Sequence, residues 1–246
     1  PSRIYAGRNI HFGVREFAMA DIVNGLILHG GLFAYGATFL VFSDYQKAAI
    51  RLAAIMNLPS IFVLTHDSIG VGEDGPTHEP IEHLTALRAT PNVTVWRPAD
   101  GKETAAGYIQ ALSRKGPTAM ALAKQNLSTL DESGPIAMRG GYILKDSENP
   151  QAIIIATGSE VEIAVQAYEQ LKERNIHVRV VSMPSTEVFE EQDEEYKAKV
   201  LPAAIKARVA VEAGATMPWC RYVGLDGEVI GIDHFGASAP APVLFR

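Results

Sequence analysis

The chain of 246 residues contains 47% hydrophobic and 20% charged residues, a composition that can bury a large core and that excludes intrinsic disorder. Its net charge of −6 argues against general binding to nucleic acid or to anionic membranes. Its one cysteine, Cys220, cannot form an internal disulfide bond. The sequence shows neither a signal-peptide pattern nor an apolar run of roughly 18 residues. We therefore expect a cytoplasmic protein.

Apolar spacing in the first half of the chain predicts helices and strands in alternation. We predict helices over residues 14–29, 43–57, 80–88 and 100–114, and strands over residues 33–42, 60–65, 92–97 and 116–123. Ser43 is expected to cap the second helix. The stripe of the first helix that is expected to face the core consists of Val14, Phe17, Ala18, Ile22, Gly25, Leu26 and His29. Strands that alternate with helices indicate a parallel sheet with both faces covered.

The second half follows a polar stretch with proline and glycine, residues 127–151, which we interpret as a linker with one short strand. Residues 152–185 then have the pattern of a βαβ unit, and Ser159 and Glu162 have the spacing of a capping box. A further strand is predicted over residues 207–213, with no closing helix after it, and both ends of the chain look cut. The predicted fold class is α/β, with two consecutive open α/β sandwich domains.

Residues 66–80, "HDSIGVGEDGPTHEP", directly follow a predicted strand and concentrate histidine, carboxylate and glycine residues. In open α/β sheets, ligands bind beyond the carboxyl ends of the strands. Imidazole and carboxylate groups on a flexible loop suit a polyhydroxylated, charged ligand. Composition alone fits an ordinary surface loop equally well.

Six stretches of the sequence together resemble transketolase. In chain order they are "HFGVREFAMADIVNGL", "TFLVFSDY", "THDSIGVGEDGPTHEP", "WRPAD", "KQNL" and "ATGSEVEIAV" with the following "VRVVSMPS". The resemblance covers essentially the whole chain. It implies that residues 1–132 form a pyrimidine-binding domain truncated at its N-terminus. Residues 139–246 would form the family's C-terminal α/β domain, truncated at its C-terminus.

The resemblance implies thiamine diphosphate as cofactor and the transfer of a two-carbon ketol unit from a ketose phosphate to an aldose phosphate. Glu16, in "GVREF", matches the glutamate that bonds N1′ of the cofactor's aminopyrimidine and so tunes the cofactor's own base chemistry. Phe39, Phe42 and Tyr45 match the aromatic wall of the pyrimidine pocket. Without the resemblance, Glu16 would be an ordinary acidic residue at a helix start, and the aromatic residues an ordinary core stripe.

The same resemblance assigns four residues to the substrate. His66 would hold the acceptor's phosphate end, Asp74 would accept a hydrogen bond from the C2 hydroxyl, and His78 would lie close to the reacting carbons and act as a second catalytic residue beside the cofactor. Lys124 stands where the family usually has an arginine that grips the phosphate. Lysine keeps the charge but loses the bidentate fork.

Metal ligands are not predicted in this chain. A zinc site from His78, Glu82 and His83 is disfavoured, because their spacing fits no HExxH helix and Pro80 interrupts it. The family's Gly-Asp-Gly motif, which with a later asparagine holds the diphosphate and its cation, does not occur in the sequence. We therefore expect the ligands of Mg²⁺ or Ca²⁺ in a missing N-terminal diphosphate-binding domain or subunit.

The resemblance implies a homodimer, since the family's active site lies between two subunits, and sugar phosphates as ligands. The chain would then supply half a site, either as a fragment of the enzyme or as one subunit of a split enzyme. If the chain is part of an enzyme, the alternatives are dihydroxyacetone synthase and a subunit of another thiamine-diphosphate enzyme. The alternative outside enzymes is a dimerising or regulatory module.

Overall fold

The computed structural model describes residues 7–246, so the first six residues of the predicted domain 1–132 lie outside it. Its helices are α1 (Glu16–His29), α2 (Ser43–Ile55), α3 (His83–Arg88), α4 (Gly101–Ser113), α5 (Glu160–Glu173), α6 (Thr186–Glu190), α7 (Glu194–Val200), α8 (Cys220–Val223) and α9 (Ala241–Leu244). Its strands are β1 (Tyr35–Phe39), β2 (Ile61–Thr65), β3 (Thr94–Trp96), β4 (Thr118–Leu122), β5 (Tyr142–Lys145), β6 (Ala152–Ala156), β7 (Val178–Ser182), β8 (Arg208–Val211) and β9 (Glu228–Ile230). Within residues 7–246, every helix is too short or too polar to cross a membrane.

The strands form two sheets, and the predicted α/β fold class is confirmed. In the first sheet the order is β1-β2-β4-β3 and all neighbours are parallel, as predicted. The second sheet has the order β5-β7-β6-β8-β9, in which β5 runs antiparallel to β7 and the other pairs are parallel. The short strand predicted in the linker is β5, whose orientation the sequence pattern did not indicate. It enters at the sheet edge directly from the linker and needs no crossover helix.

One hydrophobic cluster extends through both halves of the chain. It contains Val63 and Met120 of the first sheet together with Ile154 of the second. Along β2, Phe62 and Leu64 point to the opposite face and belong to a separate cluster, because successive strand residues alternate between the two faces. Both faces of the first sheet are therefore buried, as the sequence predicts.

The buried side of α1 differs from the predicted stripe. The buried residues of this helix are Met19, Ala20, Val23 and Asn24. Val14 is 91% exposed, and Phe17 and Ile22 are roughly half exposed. The side-chain amide of Asn24 donates to a backbone carbonyl of α2 and accepts a hydrogen bond from the Ser60 hydroxyl, so a polar residue is satisfied in the core. The predicted stripe instead forms an exposed apolar face.

Several element ends differ from the predictions. β1 stops at Phe39, because residues 40–42 form a short 3₁₀ helix that leads into α2. Ser43 and Ser159 make no capping bonds to their helices, since both already have helical backbone angles rather than the extended angles of an N-cap. α3 starts three residues later than predicted. α9 is a one-turn helix where no closing helix was predicted.

Five charged side chains are buried where the two halves of the chain meet, namely Asp67, Arg88, Arg97, Glu160 and Glu212. Arg88 donates to both carboxylate oxygens of Glu212, at 2.6 and 2.9 Å. Burial alone would raise the pKa of the Glu212 carboxyl, but Arg88 and Arg97 hold it below its ordinary value. Glu212 is therefore an anion that compensates two buried cations.

We expect Glu212→Gln to lower the free energy of unfolding by about 3–5 kcal/mol, because it leaves buried arginines without their compensating charge. Urea unfolding of the 246-residue chain, followed by circular dichroism, measures this loss. Asp226→Asn is the matched control. Its carboxylate pairs with Lys206 at 3.8 Å on the open surface, and its removal should cost less than about 1 kcal/mol. Equal losses in the two variants would contradict the account of the buried cluster.

Candidate functional site

The candidate site lies at the carboxyl ends of the two neighbouring strands β1 and β2. Phe39 and Thr65 are register partners at these ends. His66 follows at once, with a φ angle of +60° that is unusual for a residue other than glycine. This backbone turn starts the 66–80 loop at the edge of the sheet where open α/β folds bind their ligands.

Aromatic and imidazole rings gather at this edge. Phe39 stacks on His66 with ring centroids 3.7 Å apart. Phe42 lies 6.1 Å from Phe39 in a stacked arrangement and 6.1 Å from Tyr45 in a tilted one. His78 meets Phe42 edge-on, with centroids 5.4 Å apart. Five residues singled out from the sequence are thus brought together, and the two histidines belong to the same wall as the three aromatic side chains.

Glu16 lies in the first turn of α1, and this end of the helix points toward the same edge of the sheet. α1 joins β1 through a short connection and therefore runs back along it. Met19 and Val23 both pack on Gly36, where a Cβ would lie 3.3 Å from each of them. Glu16 comes three helical residues, about 4.5 Å, before Met19, and Phe39 comes three strand residues, about 10 Å, after Gly36. Helix and strand thus advance toward the same edge, and Glu16 is half-buried.

Two charged side chains act on His66, namely Asp74 of the 66–80 loop and Lys124 beyond the end of β4. Burial lowers the pKa of the His66 imidazole, Lys124 lowers it further, and Asp74 opposes both effects. Lys124 follows β4, the other neighbour of β2, and its Nζ donates to the Val71 carbonyl at 2.6 Å. Asp74 is exposed at the loop's tip. A cation and an anion therefore lie near enough to the His66 imidazole for their charges to act on it.

This arrangement suits a ligand with a flat aromatic ring and a polar, anionic neighbour. The ring faces offer stacking, which binds and orients a heteroaromatic ring. The carboxylate of Glu16 can share a proton with a ring nitrogen, and Lys124 can donate to a phosphate. Because Tyr45 is 65% exposed and His78 is only partly buried, the wall is open to a ligand.

The sequence predictions missed two residues behind this site. Asp67 and Arg97 are fully buried, and the Arg97 Nε donates to the Asp67 carboxylate at 2.7 Å. Arg97 lies in the "WRPAD" stretch, directly after β3. An arginine at the end of a buried strand was the available signal, because a buried arginine must find acidic partners.

Glu82 and His83 do come together with a third ligand type, but with Asp44 rather than His78. The Nε2 of His83 lies 3.2 Å from the Asp44 carboxylate, and its Nδ1 lies 3.9 Å from Glu82. The first distance is that of a hydrogen bond, which joins the starts of α2 and α3. Lys47 borders the same small hollow, so its positive charge opposes a cation there.

A much larger cavity lies in the second half of the chain, away from the aromatic wall. Its volume is about 760 Å³, and its lining includes Ile154, Ala164 and Val209. Most of this lining is aliphatic. Phe235, Phe245 and Arg246 also border it, but none of the site residues predicted from the sequence does. We therefore place the candidate site at that edge and not in the larger cavity.

Two family models match the chain. Residues 2–129 match the model described as "Transketolase, pyrimidine binding domain". Residues 140–246 match the model described as "Transketolase-like TK C-terminal domain". The aromatic wall, Glu16 and the 66–80 loop all fall within the first match.

Proteins described as transketolases are similar to this chain. A probable transketolase of Streptococcus pneumoniae is 58% identical over 96% of this chain and 36% of its own length. The transketolase of Bacillus subtilis is 54% identical over 98% of this chain and 37% of its own length. The crystal structure of Pichia stipitis transketolase in complex with sedoheptulose 7-phosphate matches with a TM-score of 0.94 and 47% identity, over 98% of this chain and 36% of that one. The chain thus spans little more than a third of the length of these relatives.

Proposed function

The chain belongs to the transketolase family, and we propose that it supplies the pyrimidine-binding half of an active site that transfers a two-carbon ketol unit between sugar phosphates. One observation carries the proposal. The rings of Phe39, Phe42, Tyr45, His66 and His78 converge at the carboxyl edge of a parallel sheet. A core stripe would point these rings inward, whereas Tyr45 is largely exposed and His78 partly so.

The family implies dependence on thiamine diphosphate, and the residues at the edge fit its pyrimidine ring. Bound thiamine diphosphate supplies the carbon that forms the bond to the transferred ketol unit. Phe39, Phe42 and Tyr45 would stack on the ring and fix its orientation. Glu16 would share a proton with N1′. Its carboxyl group is half-buried at the start of α1.

The 66–80 loop would bind the sugar phosphates. His66 and Lys124 would hold the phosphate end, since they lie close enough for Lys124 to lower the pKa of His66. Asp74 would accept a hydrogen bond from the C2 hydroxyl. His78 would act at the reacting carbons, because its contact with Phe42 places it beside the pyrimidine wall.

Lys124→Arg should lower KM for phosphorylated acceptors a few-fold and leave unphosphorylated acceptors unchanged. Arginine offers two parallel donors to a phosphate, and charged hydrogen bonds are worth roughly 1.5–3 kcal/mol each. Part of this gain would be offset, because Lys124 also donates to the Val71 carbonyl. Steady-state kinetics of the complete enzyme with ribose 5-phosphate and with an unphosphorylated aldehyde measure both values. Equal changes for both acceptors would show that Lys124 does not touch the phosphate.

The remaining parts of the site would come from outside these 246 residues. We propose that the diphosphate and a Mg²⁺ or Ca²⁺ ion are held by a diphosphate-binding domain or subunit, and that a homodimer in the cytoplasm completes the site. We also propose 1–132 and 139–246 as the two domains. The second would shape the assembly rather than bind the cofactor.

The test is a chimera that joins this chain to the remainder of a full-length relative such as the Bacillus subtilis enzyme. We expect ketol transfer to ribose 5-phosphate that depends on thiamine diphosphate. A turnover that is faster with formaldehyde would instead favour dihydroxyacetone synthase. A folded chimera that transfers no ketol unit to either acceptor would overturn the proposed function and leave a dimerising or regulatory module.

A further inference from the structure

The buried guanidinium of Arg97 connects the 66–80 loop to the second half of the chain. On one side, its Nε donates to the Asp67 carboxylate at 2.7 Å. On the other side, its Nη1 donates to the Thr157 carbonyl at 3.0 Å and to the Glu160 carboxylate. Thr157 and Glu160 flank the turn between β6 and α5. One side chain thus bonds both the residue next to His66 and a turn of the other sheet.

The turn between β6 and α5 is shaped around this guanidinium. Gly158 has a φ angle of +60°, and a Cβ on it would lie 2.6 Å from Arg97 Cζ. The Gly158 amide donates to the Arg97 carbonyl at 3.2 Å, and the Arg97 amide donates to the Pro184 carbonyl at 2.8 Å. Because any side chain at 158 would displace the guanidinium, the turn fixes where Arg97 can reach.

The outer part of the 66–80 loop also rests on the second half of the chain. The Ser238 hydroxyl donates to the Glu73 carbonyl. Ile69 belongs to a small hydrophobic cluster against which Ile232 and Leu244 pack. On the side of the first sheet, Lys124 holds the loop through the Val71 carbonyl. The loop is therefore held from both halves of the chain at once.

We infer that the second domain positions the 66–80 loop for its sugar phosphate, with Arg97 as the positioning residue that transmits the place of the β6–α5 turn to Asp67 and His66. The inference rests on the proposed function, because it concerns how His66 is presented to the ligand. The left-handed backbone of His66 is a conformation that surrounding contacts must hold. Arg97 supplies such a contact to the next residue, Asp67. It can do so only while the β6–α5 turn of the second domain holds the guanidinium in place.

The test uses the 246-residue chain and two glycine substitutions in the second domain. Gly158→Ala puts a methyl group against the Arg97 guanidinium at a left-handed position. Gly224→Ala is the matched control, because it has a similar φ angle of +72° but nothing within 4 Å of the added methyl group. Both variants carry backbone strain, and only the first displaces Arg97.

The readout is the NMR titration of the His66 imidazole. In Gly158→Ala we expect its pKa to be higher, and so closer to the ordinary value, than in Gly224→Ala, because the ring becomes better hydrated and moves away from Lys124. The ring protons should also lose the upfield shift that stacking on Phe39 gives them. Asp74, the other charged group that acts on His66, belongs to the same loop, so its opposing effect should change less.

If Gly158→Ala does not fold, the same titration of His66 is made with Ser238→Ala. It removes the hydroxyl that bonds the Glu73 carbonyl, and Ser128→Ala, which removes a hydroxyl bonded to Glu162 away from the loop, is its control. The inference is overturned if the pKa of His66 in the tested variant equals its pKa in the matched control. The titration needs neither cofactor nor sugar, so this result and a failure of the chimera to transfer ketol units are read separately.

Discussion

Glu16→Gln should remove most ketol transfer from the complete enzyme while leaving its fold intact. Proton transfer by a positioned group contributes typically about 10²–10⁴-fold to a rate, and we expect a loss in kcat of that order. Glutamine has the shape of glutamate, but its amide nitrogen cannot share a carboxyl proton with N1′. The half-buried place of Glu16 in the first turn of α1 leaves room for the substitution without a core defect. Steady-state turnover of the chimera measures the loss.

Asp21→Asn is the matched control for this variant. Asp21 lies in the same helix, is similarly half-buried, and undergoes the same change from carboxylate to amide. It should keep nearly full turnover, because nothing assigns it to the cofactor. If Glu16→Gln stayed within about tenfold of the parent rate with normal circular dichroism, Glu16 would not be the partner of N1′.

The 246-residue chain by itself should be folded, self-associated and without measurable transketolase activity. Its apolar surface predicts the association. Phe33 is 77% exposed, Leu28 61% and Phe17 47%, and all three lie on α1 or in the segment that joins it to β1. Apolar surface that is gathered in one region favours contact with another protein surface. The missing activity follows from the proposal that the diphosphate and its cation are held elsewhere.

Sedimentation velocity across a range of concentrations and a ketol-transfer assay test both parts of this prediction. Phe33→Glu should shift the chain toward monomer, and Leu225→Glu is the control, since that leucine is fully exposed far from α1 in the sequence. A parent chain that stays monomeric at tens of micromolar would contradict the association. Turnover by the chain alone would contradict the half-site.

Local patterns predicted the alternation of helices and strands because the central parallel strands, such as β2 and β6, are buried on both faces and most helices have one apolar side. They failed for α1, where both sides are apolar enough to pack. The side that packs carries the polar residue Asn24, whose bonds to α2 and to Ser60 form only in the folded chain. Periodicity measures how apolar a face is and cannot measure which neighbour it meets.

The antiparallel pairing of β5 and the cluster around Arg97 depend on long-range contacts in the same way. Arg97 and Glu160 are 63 residues apart, and the residues around either of them do not indicate that the two side chains meet. The candidate site was easier to predict, because Phe39, Phe42 and Tyr45 lie close in sequence and His66 follows its strand directly. The resemblance gave them roles, and the sheet register explains why they meet.

The central claim is that this chain carries the pyrimidine half of a thiamine-diphosphate site and not the diphosphate half. Isothermal titration calorimetry of the 246-residue chain with thiamine diphosphate, with and without Mg²⁺, tests it most directly. Stacking on Phe39 and Phe42 with a bond to Glu16 should give weak binding, of millimolar order or weaker, because few of the ligand's charged groups are paired. We expect the same affinity in both titrations. Micromolar binding that requires Mg²⁺ would contradict the claim, since it would place a diphosphate and metal site within this chain.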